Sequence, residues 1–214
     1  MYLMLLSQYF YPEMISTGQL LTELAVSIAK SGTRTSVICG QPTYYDNHRV
    51  PYFIEYNGIS IYRVSNSQLN KNSIIGKILN SLSFFVLALF KSLALLRHKN
   101  AHLLIVTTPP FLPLLGYLIH KLRKTPYYIL VHDVYPDIAI KLGYLRADSL
   151  IVKIWQKVFC HVYENCTKVI VIGRDMAEVM AKKVTNPAKI EIIENWADEG
   201  LISPLAKSEN QFVI

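Results

Sequence analysis

The sequence predicts an α/β domain built on a doubly wound, Rossmann-like parallel sheet of about six or seven strands. Apolar runs of strand length alternate with segments of helical periodicity along most of the chain. Most of these runs are continuous rather than alternating, which is typical of strands buried on both faces. Such strands occur where helices cover a parallel sheet, so the alternation favours the doubly wound arrangement.

The predicted elements follow one another in a regular order. The strands are expected at residues 2–6, 35–39, 59–64, 103–107, 127–132, 168–172 and 190–193. The helices are expected at residues 18–31, 74–98, 112–123, 149–166 and 174–183. Ser16-Thr17-Gly18 opens the first helix with hydroxyl side chains, and Gly32 provides its C-cap. Asn57-Gly58 predicts a turn before the third of these strands.

The composition excludes several classes of protein. The chain has 214 residues, of which 51% are hydrophobic and 17% charged, so it can bury a large core and is too apolar for disorder. Its three cysteines, Cys39, Cys160 and Cys166, form no CxxC pair and fit neither a disulfide framework nor a zinc site. No metal is expected. The first twelve residues lack the basic flank of a secretory signal, so a reducing cytosol is the expected compartment.

Positive charge is concentrated in one part of the chain. The formal net charge is +7, and no acidic residue occurs between Glu55 and Asp133. That stretch contains nine basic residues: Arg63, Lys71, Lys77, Lys91, Arg97, Lys99, Lys121, Arg123 and Lys124. The bases are interleaved with Leu and Phe and form no solvated stripe, so a nucleic-acid partner is not expected.

The predicted helix at 74–98 raises the question of a membrane. The insertion free energy of its residues 78–96 is near zero: twelve Ile, Leu, Phe and Val side chains contribute about −0.5 kcal/mol each, a central lysine returns about +3 kcal/mol, and one asparagine and three serines offset most of the rest. An apolar helix with cations can instead lie in the interface of an anionic bilayer, and the segment 112–124 is also apolar with a basic end. We therefore predict peripheral membrane contact through Lys77, Phe84, Phe85, Lys91 and Lys124. The alternative is a helix that packs on the sheet with solvated lysines.

Residues at the carboxyl ends of the predicted strands are the candidate site, because ligands of open α/β sheets bind there. His132-Asp133 follows the fifth predicted strand, and a titratable pair at that position favours a site over a satisfied loop histidine. Thr17 and Gly18 open a helix whose N-terminus can bind an anion, although an ordinary N-cap is the alternative. Pro12, Glu13, Pro109 and Asn195 also follow predicted strands and are expected to line the cleft. No GxG occurs, which argues against dinucleotide binding and NTP hydrolysis.

Together, these motifs resemble the N-terminal half of family 4 glycosyltransferases of the GT-B fold, most closely bacterial enzymes of polysaccharide and O-antigen assembly. The motifs are Tyr9-Phe10-Tyr11-Pro12-Glu13, Ser16-Thr17-Gly18, Glu23-Leu24-Ala25, Gly40-Gln41-Pro42, Thr108-Pro109-Pro110, His132-Asp133-Val134-Tyr135-Pro136-Asp137 and Asn195-Trp196-Ala197-Asp198. Each motif alone is loose. Their order and spacing make the resemblance specific over nearly the whole chain.

The resemblance implies transfer of a sugar from a nucleotide sugar, with retained anomeric configuration, onto a lipid-linked or saccharide acceptor. It makes His132 the catalytic histidine that reaches the donor sugar, and it places Gly18 and Thr17 near the donor phosphates. Many family members have a second glycine where this chain has Thr17. No cofactor and no metal are implied.

The resemblance also implies a division of labour between two domains. Residues 1–200 would be the acceptor-binding domain, and 201–214 a linker and the start of a missing C-terminal donor-binding domain. The expected location is cytoplasmic, peripheral to the inner face of the plasma membrane. A non-catalytic membrane-docking or acceptor-binding subunit is the alternative function.

Overall fold

A computed structural model describes residues 1–13, 16–42, 50–67, 69, 73–97 and 100–197. The predicted linker at 201–214 lies outside the described residues. The strands are β1 (Tyr2–Leu6), β2 (Arg34–Gly40), β3 (Phe53–Tyr56), β4 (Ile59–Val64), β5 (Ala101–Val106), β6 (Tyr127–Val131), β7 (Lys168–Val171) and β8 (Ile190–Ile192). The helices are α1 (Ser16–Lys30), α2 (Ile74–Leu95), α3 (Leu112–Arg123), α4 (Asp137–Lys141), α5 (Leu150–Asn165) and α6 (Arg174–Ala181).

The strands form one sheet in the order β3-β4-β2-β1-β5-β6-β7-β8. All neighbouring pairs are parallel except β3 and β4. The predicted doubly wound α/β fold is confirmed, and all seven predicted strands are present. The eighth strand, β3, forms a hairpin with β4 through Asn57 and Gly58, whose φ angles are 47° and 83°. Two positive φ angles in a two-residue loop are what such a hairpin requires.

The order of the strands determines which face of the sheet each helix covers. Right-handed crossovers place helices on opposite faces when the chain moves in opposite directions along the sheet. The chain moves from β1 to β2 in one direction, and from β5 to β6 and β7 in the other. α1 therefore lies on one face, and α2, α3 and α5 lie on the other, where α3 packs between α2 and α5.

The core lies between the sheet and these helices. β1 is buried along its whole length, and so are the inner residues of β2, β5 and β6. Gly116 lets α3 approach the sheet closely, because a Cβ atom there would collide with Cδ1 of Ile105. Tyr127 is fully buried, and its hydroxyl donates to the carbonyl of Val162 at 2.6 Å. This bond ties β6 to α5.

Helix α2 presents to the sheet a face that contains polar side chains. Asn80, Phe84, Ala88 and Ser92 are buried along that face. The Asn80 amide is satisfied there, since its Oδ1 accepts from the Leu69 backbone N–H at 2.9 Å and its Nδ2 donates to the Leu69 carbonyl at 3.0 Å. Asn80 therefore holds the preceding connection in place.

The prediction that Phe84 faces a membrane is wrong, because its side chain is 0% exposed and packs in the core. Lys91 is half-buried, with its Nζ 4.9 Å from the centroid of the Tyr62 ring in β4, and its contact with a membrane stays a prediction. Phe85 is half-buried, whereas Lys77 and Lys124 are exposed. The apolar side of α3, including Leu115, is buried, so only the basic end of the segment 112–124 can reach a membrane.

The outward face of α2 is almost entirely apolar. Ile78 and Phe90 are 56% and 66% exposed, and the other exposed side chains of this face are Ile75, Leu79, Leu82, Val86 and Leu87. Among the described residues, α2 alone is long and apolar enough to cross a bilayer by length and composition. Because its opposite face packs against β2, β4 and α3, α2 is an integral helix of this domain.

Candidate active site

Four connections meet at the carboxyl edge of the sheet. They follow β1, β5, β6 and β8, and they contain most of the residues that the sequence analysis singled out. The Tyr11-Pro12, Thr108-Pro109 and Tyr135-Pro136 peptide bonds are cis. Because these strands are parallel neighbours or near neighbours in the sheet, the fold brings the predicted first loop after β1, the prolines after β5 and the histidine after β6 to one edge.

Thr107, at the end of β5, positions His132. Its buried Oγ1 accepts hydrogen bonds from the backbone N–H groups of both His132 and Asp133, each at 3.1 Å. Two donors on one hydroxyl fix the turn that follows β6. Thr107 was not predicted as a site residue, because a threonine at a strand end gives no sign that it reaches the neighbouring strand.

The imidazole of His132 borders a groove beside α1. The groove measures about 190 Å³, and besides His132 it is lined by the α1 residues Leu20, Leu21, Leu24 and Ile28, the sheet residues Leu104, Leu130 and Ile170, and Ile193, Asn195 and Trp196. The Trp196 Nε1–H donates to Oε2 of Glu23 at 2.7 Å, which ties the chain after β8 to α1. Within the described part of the chain, the ring nitrogens of His132 have no hydrogen-bond partner, so they are available to a ligand.

The predicted site residues differ in accessibility. Thr17 is half-buried, and Gly18 is buried in the first turn of α1. Gly18 precedes the groove residue Leu21 by one helical turn, so the helix start and His132 border the same side of the sheet. Their assigned roles stay predictions.

The residues expected to line the cleft lie around this edge. Asn195 lines the groove directly. Pro12 is exposed and Asp133 is half-buried, so a ligand can reach both. Glu13 and Pro109 are buried, and their place in the cleft stays a prediction. The backbone N–H of Glu13 donates to the Phe10 carbonyl at 3.0 Å.

Arg63 fixes the loop after β1 through hydrogen bonds of its guanidinium group. Its side chain is buried at the end of β4, and Nη2 donates to the Tyr11 carbonyl at 2.7 Å while Nη1 donates to the Pro51 carbonyl at 3.0 Å. In the sequence, Arg63 stood out only as one of the nine basic residues between Glu55 and Asp133. Its position as a base inside an apolar strand was the available signal, because a buried guanidinium must find several acceptors.

The protonation state of His132 follows from its surroundings. Burial lowers the pKa of His132 below its ordinary value, and the Asp133 carboxylate acts in the opposite, raising direction. Burial also raises the pKa of Tyr135, with a further contribution from Asp133. His132 is therefore neutral at physiological pH, with one ring nitrogen able to donate and the other able to accept.

We expect His132 to titrate below pH 6.5, the ordinary value for histidine. Asp133→Asn should lower the midpoint further, because it removes the one charge that raises the pKa. An NMR titration of the imidazole C–H signals measures both. A midpoint at or above 6.5, or an upward shift in Asp133→Asn, would contradict this description of the site.

The described residues contain no group of three or more His, Cys, Asp or Glu side chains that could hold a metal ion. The polar groups at this edge are instead hydrogen-bonding groups arranged around an apolar groove. They can orient hydroxyl groups, and the first turn of α1 can receive an anion.

The sequence pattern of Glycosyltransferase Family 4 matches residues 17–200, which include this edge from Thr17 to Asn195 but not the loop after β1. The chain belongs to this family. The predicted relationship is therefore confirmed: the fold is that of the N-terminal domain of a family 4, GT-B glycosyltransferase.

Individual relatives agree with the family assignment. The chain is 29% identical over 145 residues to the "Probable glycosyltransferase WbjE" of Pseudomonas aeruginosa, a match that covers 67% of this chain and 36% of WbjE. The fold is similar to that of sucrose-phosphate synthase from Thermosynechococcus elongatus, with a TM-score of 0.68 and 13% identity over 100% of this chain and 52% of that one. A second structure of that synthase gives a TM-score of 0.62 and 12% identity over 92% and 91% of the two chains.

The chain covers only part of the length of two of these relatives. It spans about a third of WbjE and about half of the first synthase structure. The candidate site consists of the groove beside α1, His132 at its border and the loops after β1 and β5.

Proposed function

We propose that this family 4 domain forms the acceptor side of a glycosyltransferase that moves a sugar from a nucleotide sugar to a lipid-linked or saccharide acceptor. The observation that carries the proposal is the imidazole of His132, which has no hydrogen-bond partner among the described residues and borders the groove beside α1, while the His132 backbone N–H donates to Oγ1 of Thr107. The reaction uses the nucleotide sugar as a substrate and needs no cofactor or metal.

In this proposal, His132 orients a hydroxyl group of the donor sugar. A neutral imidazole can donate one hydrogen bond and accept another. The hydrogen bond from the His132 backbone N–H to Oγ1 of Thr107 fixes the backbone that carries the ring. Holding the sugar in the reactive geometry removes part of the entropic barrier to transfer. The carboxylate of Asp133, the next residue, raises the pKa of the His132 ring and so partly offsets the lowering of that pKa by burial.

The donor diphosphate needs more than this wall of the cleft offers. The backbone N–H groups at the N-terminus of α1, near Thr17 and Gly18, can donate hydrogen bonds to the diphosphate and stabilise part of its negative charge. Stabilising the departing diphosphate is mainly electrostatic, so we propose that a second, donor-binding domain supplies cations across the cleft. That domain would be joined to the described domain or would act as a separate chain.

We further propose that the domain works at the inner, cytoplasmic face of the plasma membrane, against anionic lipid. The outward face of α2, from Ile75 to Phe90, is apolar, and no acid occurs in the sequence from residue 56 to residue 132. An apolar helix face with nearby bases such as Lys77 and Lys124 is the pattern of an interfacial helix. A lipid-linked acceptor would then be presented next to the site.

Retention of configuration gives the proposal a chemical test. The domain is supplied with a family 4 donor-binding domain, fused or as a separate chain, and incubated with radiolabelled nucleotide sugars and a membrane lipid extract. We expect a labelled lipid or saccharide whose new bond has the anomeric configuration of the donor, as NMR of the released product would show. A product of inverted configuration would contradict the proposed mechanism.

A further inference from the structure

A second apolar surface lies at the start of α5. Ser149 caps this helix, its Oγ accepting from the Val152 backbone N–H at 3.3 Å. Leu150 and Ile151, which follow, are 72% and 69% exposed. Ile154 and Val158 continue the same strip. The strip does not face the core, because the side of α5 that packs on the domain carries the buried residues Val152, Phe159, Val162 and Tyr163.

The strip is flanked by positive charge. Lys153 and Lys157 are exposed beside Ile154, and no acidic residue occurs from 149 to 163. The nearest acid in the preceding connection, Asp148, is already paired with Arg146 at 3.1 Å. Within the described residues, no acidic side chain pairs with Lys153 or Lys157. A strip of aliphatic side chains between lysines suits a boundary between hydrocarbon and anionic head groups, where lysine stems lie along the apolar surface.

The connection between α4 and α5 extends this surface. Tyr144 is 76% exposed, and Leu142, two residues earlier, is exposed as well. Tyrosine is enriched at the membrane interface because it joins an apolar ring to a polar tip. Protein-binding hot spots, in contrast, are poor in leucine and valine, which are half of the exposed strip on α5.

The position of the surface relates it to the active site. α5 is reached from the carboxyl end of β6 through His132 and α4, so its first residues lie toward the same edge as the site. The exposed strip occupies only the first nine residues of the helix, a length of about 12 Å. α2 also begins at this edge, after β4, and α3 separates the two helices.

We propose that Leu142, Tyr144 and the strip Leu150, Ile151, Ile154 and Val158 form a second lipid-contacting surface, which we call the α5 surface. It rests on the membrane docking proposed for α2 and adds to it a second point of contact. Two contacts on either side of α3 fix the tilt of the domain, so that the carboxyl edge with His132 is turned toward the bilayer.

The test uses site-specific fluorescence in the full 214-residue chain with Cys160→Ser, since Cys39 and Cys166 are buried. An NBD label is attached to Ile151→Cys, to Val86→Cys on the outward face of α2, or to Ser27→Cys on the exposed side of α1, on the opposite face of the sheet. With vesicles of phosphatidylglycerol and phosphatidylcholine that carry brominated acyl chains, we expect quenching at positions 151 and 86 and none at 27.

Charge variants supply a second readout. Lys153→Gln with Lys157→Gln should lower partitioning onto these vesicles about thirtyfold, the equivalent of about 1 kcal/mol for each lost base. Lys30→Gln with Arg34→Gln makes the same change of charge on the α1 side and should leave partitioning nearly unchanged.

The possible outcomes separate the two proposals. Quenching at position 86 but not at 151, with partitioning unaffected by the α5 lysines, would overturn the α5 surface and leave the α2 docking intact. Failure at both positions would overturn both. Equal quenching at position 27 would show non-specific adsorption and would also contradict the proposed orientation.

Discussion

His132→Ala is expected to lower sugar transfer by about a hundredfold or more in the domain supplied with a donor-binding domain. The reason is that one positioned polar group at a developing charge contributes on this scale. His132 is held by Thr107 and has accessible ring nitrogens at the groove, so its removal leaves the rest of the wall in place. The measurement is the rate of label transfer to lipid extract at saturating donor.

The matched control is His102→Ala. His102 is also a half-buried histidine, but it lies near the start of β5, at the opposite edge of the sheet. We expect this variant to retain nearly full activity. His132→Gln keeps one hydrogen-bonding group and should fall between the two. Unchanged transfer in His132→Ala would remove the histidine from the mechanism.

Replacing three outward residues of α2, Ile78, Leu82 and Phe90, with serine should reduce binding to anionic vesicles by about a hundredfold or more. Each side chain is exposed in the free domain, so each would gain on the order of 1 kcal/mol or more by entering the bilayer interface. Vesicle flotation measures the loss. Folding should be unaffected, because none of the three packs in the core.

Two controls show whether the loss is specific. Phe53→Ser with Ile192→Ser removes exposed apolar groups from the edge strands β3 and β8 and should leave binding unchanged. Lys77→Gln with Lys124→Gln should weaken binding to anionic lipid about thirtyfold, at about 1 kcal/mol for each base, and leave binding to neutral lipid the same. Binding that is unaffected by the α2 variant would contradict the proposed docking.

Most of the fold could be predicted because the strands of a covered parallel sheet are apolar on both faces. Residues 2–6 and 127–131 are such runs, and both became inner strands of the sheet. β3 was not predicted because it lies at the edge, where two of its four side chains are exposed, so it lacks that signature. The one indication of β3 in the sequence was the Asn57-Gly58 turn, which connects it to its hairpin partner β4.

The sequence could not predict which face of α2 packs against the sheet, because apolar residues occur around the whole circumference of the helix and their periodicity does not distinguish one face from another. Phe84 was predicted to face the membrane because its helix is apolar and carries cations, as an interfacial helix does. In the structure, Asn80 is buried with both of its polar atoms bonded to Leu69, and this pairing removes the usual cost of burial. Tertiary partners of this kind leave no local trace in the sequence.

The residues of the candidate site also divide into those whose position could be predicted from the sequence and those whose role could not. The positions of His132 and Asn195 at the carboxyl edge could be predicted, because both follow strands whose carboxyl ends meet there, and their roles stay predictions. Thr107 and Arg63 could not be assigned their roles, since each acts on a connection from another strand: Thr107 on the turn after β6, and Arg63 on the loop after β1. Such contacts depend on the order of the strands in the sheet.

The central claim is that these residues form one wall of a two-domain site for sugar transfer. The most direct test is to compare transfer from radiolabelled nucleotide sugars to membrane lipid extract by the 214-residue chain alone and by the same chain supplied with a family 4 donor-binding domain. One wall can neither exclude water nor hold both substrates in reactive geometry. We therefore predict no measurable transfer by the chain alone and His132-dependent transfer once the second domain is present. Robust transfer by the 214 residues alone would contradict this account.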